Sequence, residues 1–549
     1  MARFETPLLT EERVQRHEER GEWPNRTQLD YFEEAVERHP EKPAIVDGRG
    51  LSLAYGEVAE LSEGVAAFLD EAGVTEGDRV LVQLPNWSEW LVVQLAIIRV
   101  GAVINPLPPN LRTADLEYIV NLVEPEVFVV PDRYHDYDYV EMVRDDLSYE
   151  GTVLAVSETP GEERADVDTT AYADVIETNP SAAEFPGQDP NALSVLPFTS
   201  GTTGNPKGCM MTQNTLNTAI RDYNERAGID ENSVTFIPLT IEHQGGYGYG
   251  PYAAVQAGAT CAMLPAAEWD PDRAVEMIEN HGVTHVFAPT PFLHDLVYAD
   301  TLDERDTSSL ELFTCGGASI SSTLLTDANE NLDGNVVGSW GQTEDALATM
   351  TFPDDPPEKK TKTDGYPLGG MEIKTVDPDD EFPEDVGRLL VRGPYLMLGF
   401  FRRPEKTLED MEGGANGWYR TGDLAKIDDG YVSITGREKF VIMRGGEQIP
   451  VDQVEDILFQ HPKIDDVAVV AMPDDRLQER PCAYATLVEG ESLSFEEMVR
   501  YLDETDLTQQ YYPERLELVE ELPRSVSGNV KRHELREDIA EKLGKEPAH

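Results

Sequence analysis

Positively charged residues are scarce in this sequence. Its 549 residues include 44 Lys and Arg against 105 Asp and Glu, so the formal net charge at pH 7 is -61. A chain with this excess of negative charge repels nucleic acid and anionic lipid, which excludes both as general partners. The acidic residues are spread along the whole chain, a pattern typical of a solvated surface. We therefore hypothesise a halophilic protein from a cytoplasm of high ionic strength, which salt should stabilise.

Cysteines and long apolar segments are also few. The four cysteines lie far apart, without the paired spacing of a zinc or redox site, so buried free thiols are expected. The most apolar stretch, residues 90–104, contains Gln94 and Arg99 and is too short and too polar for a membrane span. The N-terminus is charged from Arg3 onward and lacks an apolar secretory core. These features predict a cytoplasmic protein with no membrane insertion.

Alternating strand and helix patterns dominate the first part of the chain. Short apolar runs at 44–46, 79–84 and 127–130 predict strands, and an amphipathic pattern over 55–72 predicts a helix. This alternation predicts an α/β fold with largely parallel strand pairing.

The pattern changes beyond Asp354. Short strand-like runs, such as 388–391 and 431–435, predict a smaller β-rich unit. From Val451 to the end, a separate helix–strand alternation is long enough for a small domain of its own.

A glycine-rich loop, Thr199–Gly208, lies between an apolar run and a predicted helix that begins near Thr212. Its glycines permit tight backbone geometry in which N–H groups can surround phosphate oxygens. Composition alone does not separate a phosphate-binding loop from an ordinary surface loop. The candidate phosphate-binding residues are Thr199, Ser200, Gly201, Thr202, Thr203, Gly204 and Lys207.

Three further segments place polar or small residues after apolar strands. Glu242–Gly250 contains His243 and four glycines, which predict a flexible wall that another group approaches closely. His243 by itself is more typical of a hydrogen-bonded structural histidine than of a catalytic one. Leu312–Ser319 and Val336–Glu344 end where open α/β sheets bind ligands. Thr343 and Glu344 fit either an ordinary helix start or a pair of oxygen ligands for magnesium.

The order of six motifs resembles the adenylate-forming superfamily, which includes acyl-CoA synthetases, aryl-acid ligases, peptide-synthetase adenylation domains and luciferases. The resemblance covers roughly residues 44–535. The motifs are Thr199–Gly208, His243, Gly316–Ala318, Trp340–Glu344, Trp418–Asp423 and Gly436–Lys439. The family fold implies a large multi-layer α/β AMP-binding domain with a β-rich subdomain over residues 1–435. A small, mobile α+β C-terminal domain would then cover residues 436–549.

The resemblance implies a reaction in two halves. A carboxylate attacks the α-phosphorus of ATP to give acyl-AMP and pyrophosphate, and a thiol, usually that of coenzyme A, then attacks the acyl-adenylate. The implied partners are a small carboxylic acid, ATP with Mg²⁺, and coenzyme A. Fixed donors and the metal would stabilise the charge that develops on pyrophosphate. No protein nucleophile is required.

Residue roles follow from the resemblance, position by position. The Thr199–Gly208 loop would hold the pyrophosphate portion, with Pro206 standing where a Walker loop has glycine. The other implied roles are Gly317 and Ala318 lining the adenine pocket, Trp340 stacking on the base, Gly341 in the nucleotide site, Thr343 on the α-phosphate, Glu344 with Thr202 at magnesium, Asp423 on both ribose hydroxyls, Arg437 on ribose or phosphate, Lys439 at the hinge, and His243 gating the acyl pocket.

The C-terminal motif departs from the family pattern. Asn529 occupies the position where the family has the lysine that bridges the carboxylate and the α-phosphate. Losing such a donor costs roughly 10²–10³ in rate, by analogy with oxyanion-hole deletions. Three accounts stay open: Lys531 substitutes for the lysine, Asn529 suffices in a slower enzyme, or adenylation is impaired.

The sequence indicates the reaction more clearly than it indicates which carboxylic acid is the substrate. Segments 392–395, 436–439 and 444–447 resemble the aryl-acid AMP-ligase branch, whereas Gln244-Gly245 departs from the Asn-Tyr that usually follows its pocket histidine. We predict an acyl- or aryl-CoA ligase, with a stand-alone aryl-acid AMP ligase as the alternative. A non-catalytic nucleotide- or acyl-adenylate-binding protein is the alternative of another class, favoured by Asn529. The sequence carries no pattern that sets an oligomeric state.

Overall fold

The structure is a computed structural model. It describes residues 6–159, 169–176, 185–199, 206–316, 320, 322–377, 385–437, 441–488, 490–503, 505, 507–519, 521–523, 530 and 532–547.

The α-helices are α1 (Glu11–Glu19), α2 (Gln28–Arg38), α3 (Tyr55–Glu71), α4 (Glu89–Arg99), α5 (Thr113–Val123), α6 (Tyr139–Glu141), α7 (Tyr172–Ile176), α8 (Gln213–Ala227), α9 (Gln244–Tyr247), α10 (Ala253–Ala257), α11 (Pro271–His281), α12 (Thr290–Val297), α13 (Ser322–Asn331), α14 (Pro357–Lys362), α15 (Pro404–Glu409), α16 (Val451–Phe459), α17 (Phe495–Leu502) and α18 (Arg532–Leu543).

The strands are β1 (Pro43–Asp47), β2 (Ser52–Ala54), β3 (Arg79–Val82), β4 (Val103–Pro106), β5 (Val127–Pro131), β6 (Arg133–Tyr134), β7 (Tyr137–Asp138), β8 (Thr152–Val156), β9 (Thr170–Ala171), β10 (Leu193–Val195), β11 (Phe198–Thr199), β12 (Lys207–Gly208), β13 (Met211–Thr212), β14 (Val234–Ile237), β15 (Thr260–Met263), β16 (His285–Pro289), β17 (Leu312–Gly316), β18 (Asn335–Gln342), β19 (Ala346–Met350), β20 (Tyr366–Pro367), β21 (Glu372–Val376), β22 (Gly387–Arg392), β23 (Met411–Glu412), β24 (Trp418–Asp428), β25 (Tyr431–Arg437), β26 (Val441–Arg444), β27 (Glu447–Pro450), β28 (Ile464–Asp474), β29 (Gln478–Leu487) and β30 (Arg515–Leu518).

Two large sheets form the N-terminal part, and the predicted parallel pairing is confirmed. One sheet has the order β13-β10-β4-β3-β5-β8-β9, with β4, β3, β5 and β8 parallel. The other has the order β2-β1-β15-β14-β16-β17-β18-β19-β20, with β1 and β14–β18 in parallel register. The central strands read as continuous apolar runs because both faces of a parallel sheet are covered.

Helix α4 connects the cores of the two sheets. All its residues are buried, and Trp90 stacks on Tyr247 of α9 with ring centroids 6.3 Å apart. One apolar cluster therefore runs from the smaller parallel sheet into the larger one. The 90–104 stretch is a buried core helix and strand, and no helix among the described residues is long and apolar enough to cross a membrane.

Two antiparallel sheets follow, as the change of pattern predicts. Strands β21-β22-β24-β23 form the β-rich unit, with β25 paired on β24 through Arg437. From Val441 the chain joins a second sheet of order β27-β26-β29-β28, with β30 alongside β29. Separate apolar clusters cover this second sheet on its two faces, which gives the C-terminal unit a core of its own.

Two sequence interpretations change in the structure. Thr343 and Glu344 do not start a helix: they lie in a turn between the antiparallel strands β18 and β19. Gln244–Ala257 is helical, with a π-helical turn at Gly248–Tyr252 that includes Pro251, where four glycines had predicted a flexible wall. The predicted close approach of another group is confirmed, and that group is the backbone of Thr240: a Cβ on Gly246 would lie 2.2 Å from its carbonyl oxygen.

The charge imbalance leads to a prediction for stability. Because the chain has 44 Lys and Arg for 105 Asp and Glu, most carboxylates cannot pair with a cation, and salt must screen them. We expect the melting temperature to rise by about 10 °C between 0.05 M and 2 M KCl, measured by thermal unfolding. A neutral osmolyte, tested over the same range of osmolality, is the control. A melting temperature that falls as KCl rises would contradict the hypothesis that salt stabilises this protein.

Candidate active site

A buried carboxylate closes the carboxyl end of β18. Asp423, on β24, is 1% exposed and accepts hydrogen bonds from Trp340 Nε1 at 3.1 Å and Gln342 Nε2 at 2.8 Å. Gln342 also donates to the carbonyl of Thr421 at 3.1 Å, so it bridges two points of β24. Two of the predicted nucleotide-binding residues, Trp340 and Asp423, are therefore in direct contact.

The turn after β18 carries the next pair of predicted residues. Gln342 N–H donates to the Asp345 carboxylate at 2.7 Å, which fixes the turn that contains Thr343 and Glu344. Gly341 is required here, because a Cβ would lie 1.8 Å from the carbonyl oxygen of Ala346. Glu344 is 9% exposed. Burial, and next to it the negative charge of Glu344, raises the pKa of the Cys209 thiol well above its usual value.

The glycine-rich loop is anchored as a two-stranded hairpin. Thr199 on β11 pairs with Lys207 on β12, and the Lys207 Nζ lies 4.4 Å from the ring centroid of Phe400. This hairpin brings both ends of the loop together beside the segment 396–401. The loop residues Ser200, Gly201, Thr202, Thr203 and Gly204 lie outside the described residues.

Segment 396–401 connects the hairpin to the Glu344 turn. Met397 N–H donates to the carbonyl of Glu344 at 2.8 Å, and Leu398 N–H donates to the carbonyl of Met210 at 2.8 Å. Phe401 N–H donates to Gly208 at 2.8 Å. These hydrogen bonds place the predicted phosphate and magnesium residues on either side of one short segment.

His243 precedes α9, and its side chain is 65% exposed, with Nε2 3.6 Å from the buried Glu242. It is thus not a buried structural histidine. Near it, Phe287 lies between two glycines: a Cβ on Gly245 would be 3.0 Å, and one on Gly316 3.2 Å, from its ring. Tyr249 packs on Phe287 at 4.7 Å and accepts a hydrogen bond from Leu347 N–H at 2.8 Å.

The remaining predicted residues are only partly described. Arg437 ends β25, where its backbone is in register with Asp423 on β24. Gly317, Ala318, Lys439, Asn529 and Lys531 lie outside the described residues.

Several side chains at the site were not assigned a function from the sequence. Gln342 lies inside the Trp340–Glu344 motif, so its position could have been found, although its bond to a strand some 80 residues away could not. Phe287 and Asp364 belong to no motif, and only the folded contacts bring them to the site.

Asp364 makes the stability of the folded state depend on pH. Its carboxylate accepts a hydrogen bond from Ile434 N–H at 2.7 Å, yet burial, helped by the negative charge of Asp423, raises the pKa of Asp364 to about 6. The folded state therefore holds a proton between about pH 4 and pH 6 that the unfolded chain releases, so this group's contribution to stability is lost as pH rises through that window.

We expect Asp364→Asn to remove this dependence. Relative to the unmodified protein, the variant should gain about 1–3 kcal/mol of unfolding free energy between pH 4.5 and pH 7.5, the scale that the raised pKa sets. Urea unfolding at both pH values in the same high salt measures the difference. Asp428→Asn, at an exposed position of β24, is the control, and an equal response of the two variants would contradict the assignment.

Comparison with known proteins defines the class. The family model described as AMP-binding enzyme matches residues 32–401, and the model described as AMP-binding enzyme C-terminal domain matches residues 453–529. The chain therefore belongs to the AMP-binding enzyme family, within the adenylate-forming superfamily, and is an AMP-forming ligase, as the order of its motifs implied.

Individual relatives cover nearly the whole chain. A medium-chain fatty-acid–CoA ligase of Escherichia coli (strain K12) is 33% identical over 544 residues, covering 98% of this chain and 95% of its own. A salicylyl-CoA synthase / salicylate adenylyltransferase of a Streptomyces species is 30% identical over 538 residues, covering 96% of each. The apo structure of MbtA from Mycobacterium smegmatis superposes with a TM-score of 0.69 at 28% identity, covering 96% of this chain and 98% of its own. These neighbours confirm the predicted α/β fold.

Proposed function

We propose that this protein activates a carboxylic acid with ATP and transfers the acyl group to coenzyme A. One observation carries the proposal: Asp423 is bonded to Trp340 and Gln342 next to the Thr343–Glu344 turn, and segment 396–401 joins that turn to the hairpin of the glycine-rich loop. Such an arrangement provides a carboxylate for ribose hydroxyls, oxygen ligands for a cation and a loop for phosphates, which together suit MgATP. Full-length similarity to a fatty-acid–CoA ligase supports the choice of coenzyme A as acceptor.

The residues present fit a magnesium ion held mainly by the nucleotide. Among the described residues, no cluster of three or more His, Cys, Asp or Glu side chains is arranged to hold a metal. Magnesium usually keeps several waters and takes one or two carboxylates together with substrate phosphates. Glu344, buried in a fixed turn, would supply that carboxylate, and Thr202 the loop hydroxyl. When bound, the ion would neutralise charge that develops on pyrophosphate.

The protein's own groups would position the reactants. Asp423, held by Trp340 and Gln342, would accept hydrogen bonds from the ribose hydroxyls, and the Trp340 ring would face the base. Lys207, at the end of the loop hairpin, would contact the phosphates that leave, and Thr343 the α-phosphate. Because these groups are fixed by β18, β24 and the hairpin, they need little reorganisation as charge builds.

The acid would enter beside His243. Phe287 and Tyr249 form an apolar wall next to the exposed His243, at the carboxyl ends of the parallel strands, where such sheets bind ligands. This wall suits an aliphatic or aromatic group with its carboxylate directed toward the Thr343 turn.

The C-terminal unit would act as the mobile domain, with its boundary at residues 435/436 and Lys439 at the hinge. The turn between β28 and β29 contacts the larger domain through Arg476, which donates to both oxygens of Asp295 at 3.2 and 3.1 Å. Gly446 lies beside Pro289, at the carboxyl end of β16. This face of the C-terminal unit therefore lies near the acyl wall, where a thiol would attack an acyl-adenylate.

Detection of an acyl-CoA thioester by mass spectrometry tests the proposal. The reaction would contain ATP, Mg²⁺, coenzyme A and molar KCl, with straight-chain acids of increasing length and with benzoic acids that carry or lack an ortho-hydroxyl. The expected result is a thioester from one of these series, formed only when ATP is present.

Other outcomes favour the two alternatives. Pyrophosphate release without thioester would favour a stand-alone aryl-acid AMP ligase, whose motifs the segments 392–395 and 444–447 resemble. ATP binding without pyrophosphate release from any acid would favour the non-catalytic binding protein, for which Asn529 is the supporting residue.

A further inference from the structure

The N-terminal segment, residues 6–28, lies across the back of the proposed ATP site and is called here the N-terminal strap. It contains α1 and ends at the start of α2. Arg13, on α1, is 5% exposed even though arginine is rarely buried. Its guanidinium donates to the carbonyls of Leu8 and Met397, both at 3.1 Å, and to that of Leu396.

The two carbonyls of segment 396–401 that Arg13 holds belong to peptide groups whose N–H ends point toward the site. The peptide group between Leu396 and Met397 accepts from Arg13 at its oxygen and donates from Met397 N–H to the carbonyl of Glu344 at 2.8 Å. The next group accepts from Arg13 at Met397 O and donates from Leu398 N–H to the carbonyl of Met210 at 2.8 Å. The Arg13 guanidinium is thus linked, through one peptide group and two hydrogen bonds in each case, to Glu344 and to Met210, which lies between β12 and β13 just after the glycine-rich loop.

Through these contacts Arg13 fixes the orientation of the two peptide groups and strengthens the hydrogen bonds that their N–H groups donate. C=O and N–H point in opposite directions across a trans peptide, so a donor on one edge orients the donor on the other. A cationic donor polarises the peptide group, and chains of hydrogen bonds reinforce one another in a low-dielectric interior. The planar guanidinium can hold two adjacent carbonyls at once, which a single ammonium does less well.

The rest of the strap is bonded to the same surroundings. Asn214 on α8 exchanges two hydrogen bonds with Asn25, both at 2.8 Å, and Asn217 donates to the carbonyl of Arg26 at 2.8 Å. Trp23 Nε1 donates to the carbonyl of Pro394 at 2.8 Å. Since α8 follows directly after the loop strands, the strap holds the site from two sides.

We propose that Arg13 is a positioning residue for adenylation, which sets the Glu344 turn and the segment around Met210 after the glycine-rich loop for MgATP through the peptide groups 396–397 and 397–398. The inference rests on the proposed function, because it assigns Glu344 to the MgATP site. A role in stability alone would lower the melting temperature and leave the response to Mg²⁺ unchanged.

The test compares Arg13→Met with Arg13→Lys and with Arg16→Met as the matched control. Arg16 lies on the same helix but makes a more exposed ion pair with Glu12 at 2.9 Å, so its loss removes the same charge without touching segment 396–401. Two quantities are measured in molar KCl: the rise in melting temperature caused by ATP as Mg²⁺ is titrated, and kcat and KM for pyrophosphate release.

For Arg13→Met we expect the Mg²⁺ concentration at half-maximal effect to rise about 10-fold and kcat to fall about 10-fold, the scale of a small displacement of a catalytic group. Arg13→Lys should fall between this variant and the unmodified protein, and Arg16→Met should stay within about 2-fold of it. Acyl transfer to coenzyme A from a supplied acyl-adenylate should change little in all three.

Unchanged Mg²⁺ dependence in a folded Arg13→Met, or an equal change in Arg16→Met, would overturn the inference while leaving the proposed function standing. If Arg13→Met does not fold, the Mg²⁺ dependence of Arg13→Lys is the test, and an unchanged value in that variant would likewise overturn the inference. An unmodified protein that neither gains stability from MgATP nor releases pyrophosphate would reject the proposed function and this inference with it.

Discussion

Asp423→Ala should lower kcat/KM for ATP by about 10²–10³, because the variant loses charge-assisted hydrogen bonds to the ribose hydroxyls, each worth about 1.5–3 kcal/mol. The loss should appear mainly in KM, since the ribose contacts are present in the ground state as well as in the transition state. Initial rates of pyrophosphate release over an ATP series, in molar KCl, measure it.

Removing this carboxylate also leaves Trp340 Nε1 and Gln342 Nε2 without the acceptor they share. Asp423→Asn keeps an acceptor oxygen and the shape of the side chain, so it should show a smaller defect than alanine with a near-normal melting temperature. Asp428→Asn, on the same strand but at an exposed position, controls for the change of net charge. A folded Asp423→Ala with an unchanged KM for ATP would show that the nucleotide binds elsewhere.

Glu344→Gln should lower the maximal rate of pyrophosphate release by about 10²–10³ and raise the Mg²⁺ concentration needed for half-maximal rate. The amide matches the carboxylate in size but lacks the charge that suits a divalent cation. Because the turn is held by Gln342, Asp345 and Met397 through bonds that do not use the Glu344 carboxylate, the fold should survive the substitution.

The Mg²⁺ titration separates this role from a general effect of charge. Glu330→Gln, an exposed position on α13, removes the same negative charge away from the site and should leave the titration unchanged. If Glu344→Gln shows the same Mg²⁺ dependence as Glu330→Gln, the proposed role of Glu344 in MgATP binding is wrong.

Local sequence patterns predict much of this fold because the spacing of apolar residues within a short stretch marks the buried face of each strand or helix. The predicted strands at 44–46, 79–84 and 127–130 appear as β1, β3 and β5, and the helix over 55–72 appears as α3. The position of Trp340 also follows from the sequence, since it lies near the carboxyl end of β18, where parallel sheets bind ligands. Asp423 lies inside the antiparallel strand β24, and only the resemblance to the family marked it.

Features that depend on distant contacts could not be found in this way. The Thr343–Glu344 turn is a hairpin and not a helix start because β19 pairs antiparallel with β18, which the local residues do not specify. Arg13 looks like one more charge on a charged helix, and its function depends on carbonyls some 380 residues further along the chain. The helical form of the glycine-rich 244–257 segment depends on burial of Tyr247, Tyr249 and Tyr252 against the core.

Carboxylate-dependent exchange of labelled pyrophosphate into ATP is the most direct test of carboxylate activation by this site. It reports reversible formation of an acyl-adenylate without requiring a thiol acceptor, and it is run in molar KCl with Mg²⁺ and the two series of acids. We predict exchange with at least one acid, lost when Mg²⁺ is omitted and, at ATP concentrations well below KM, reduced about 10²-fold or more in Asp423→Ala. Tight binding of MgATP with no exchange for any acid would contradict the central claim.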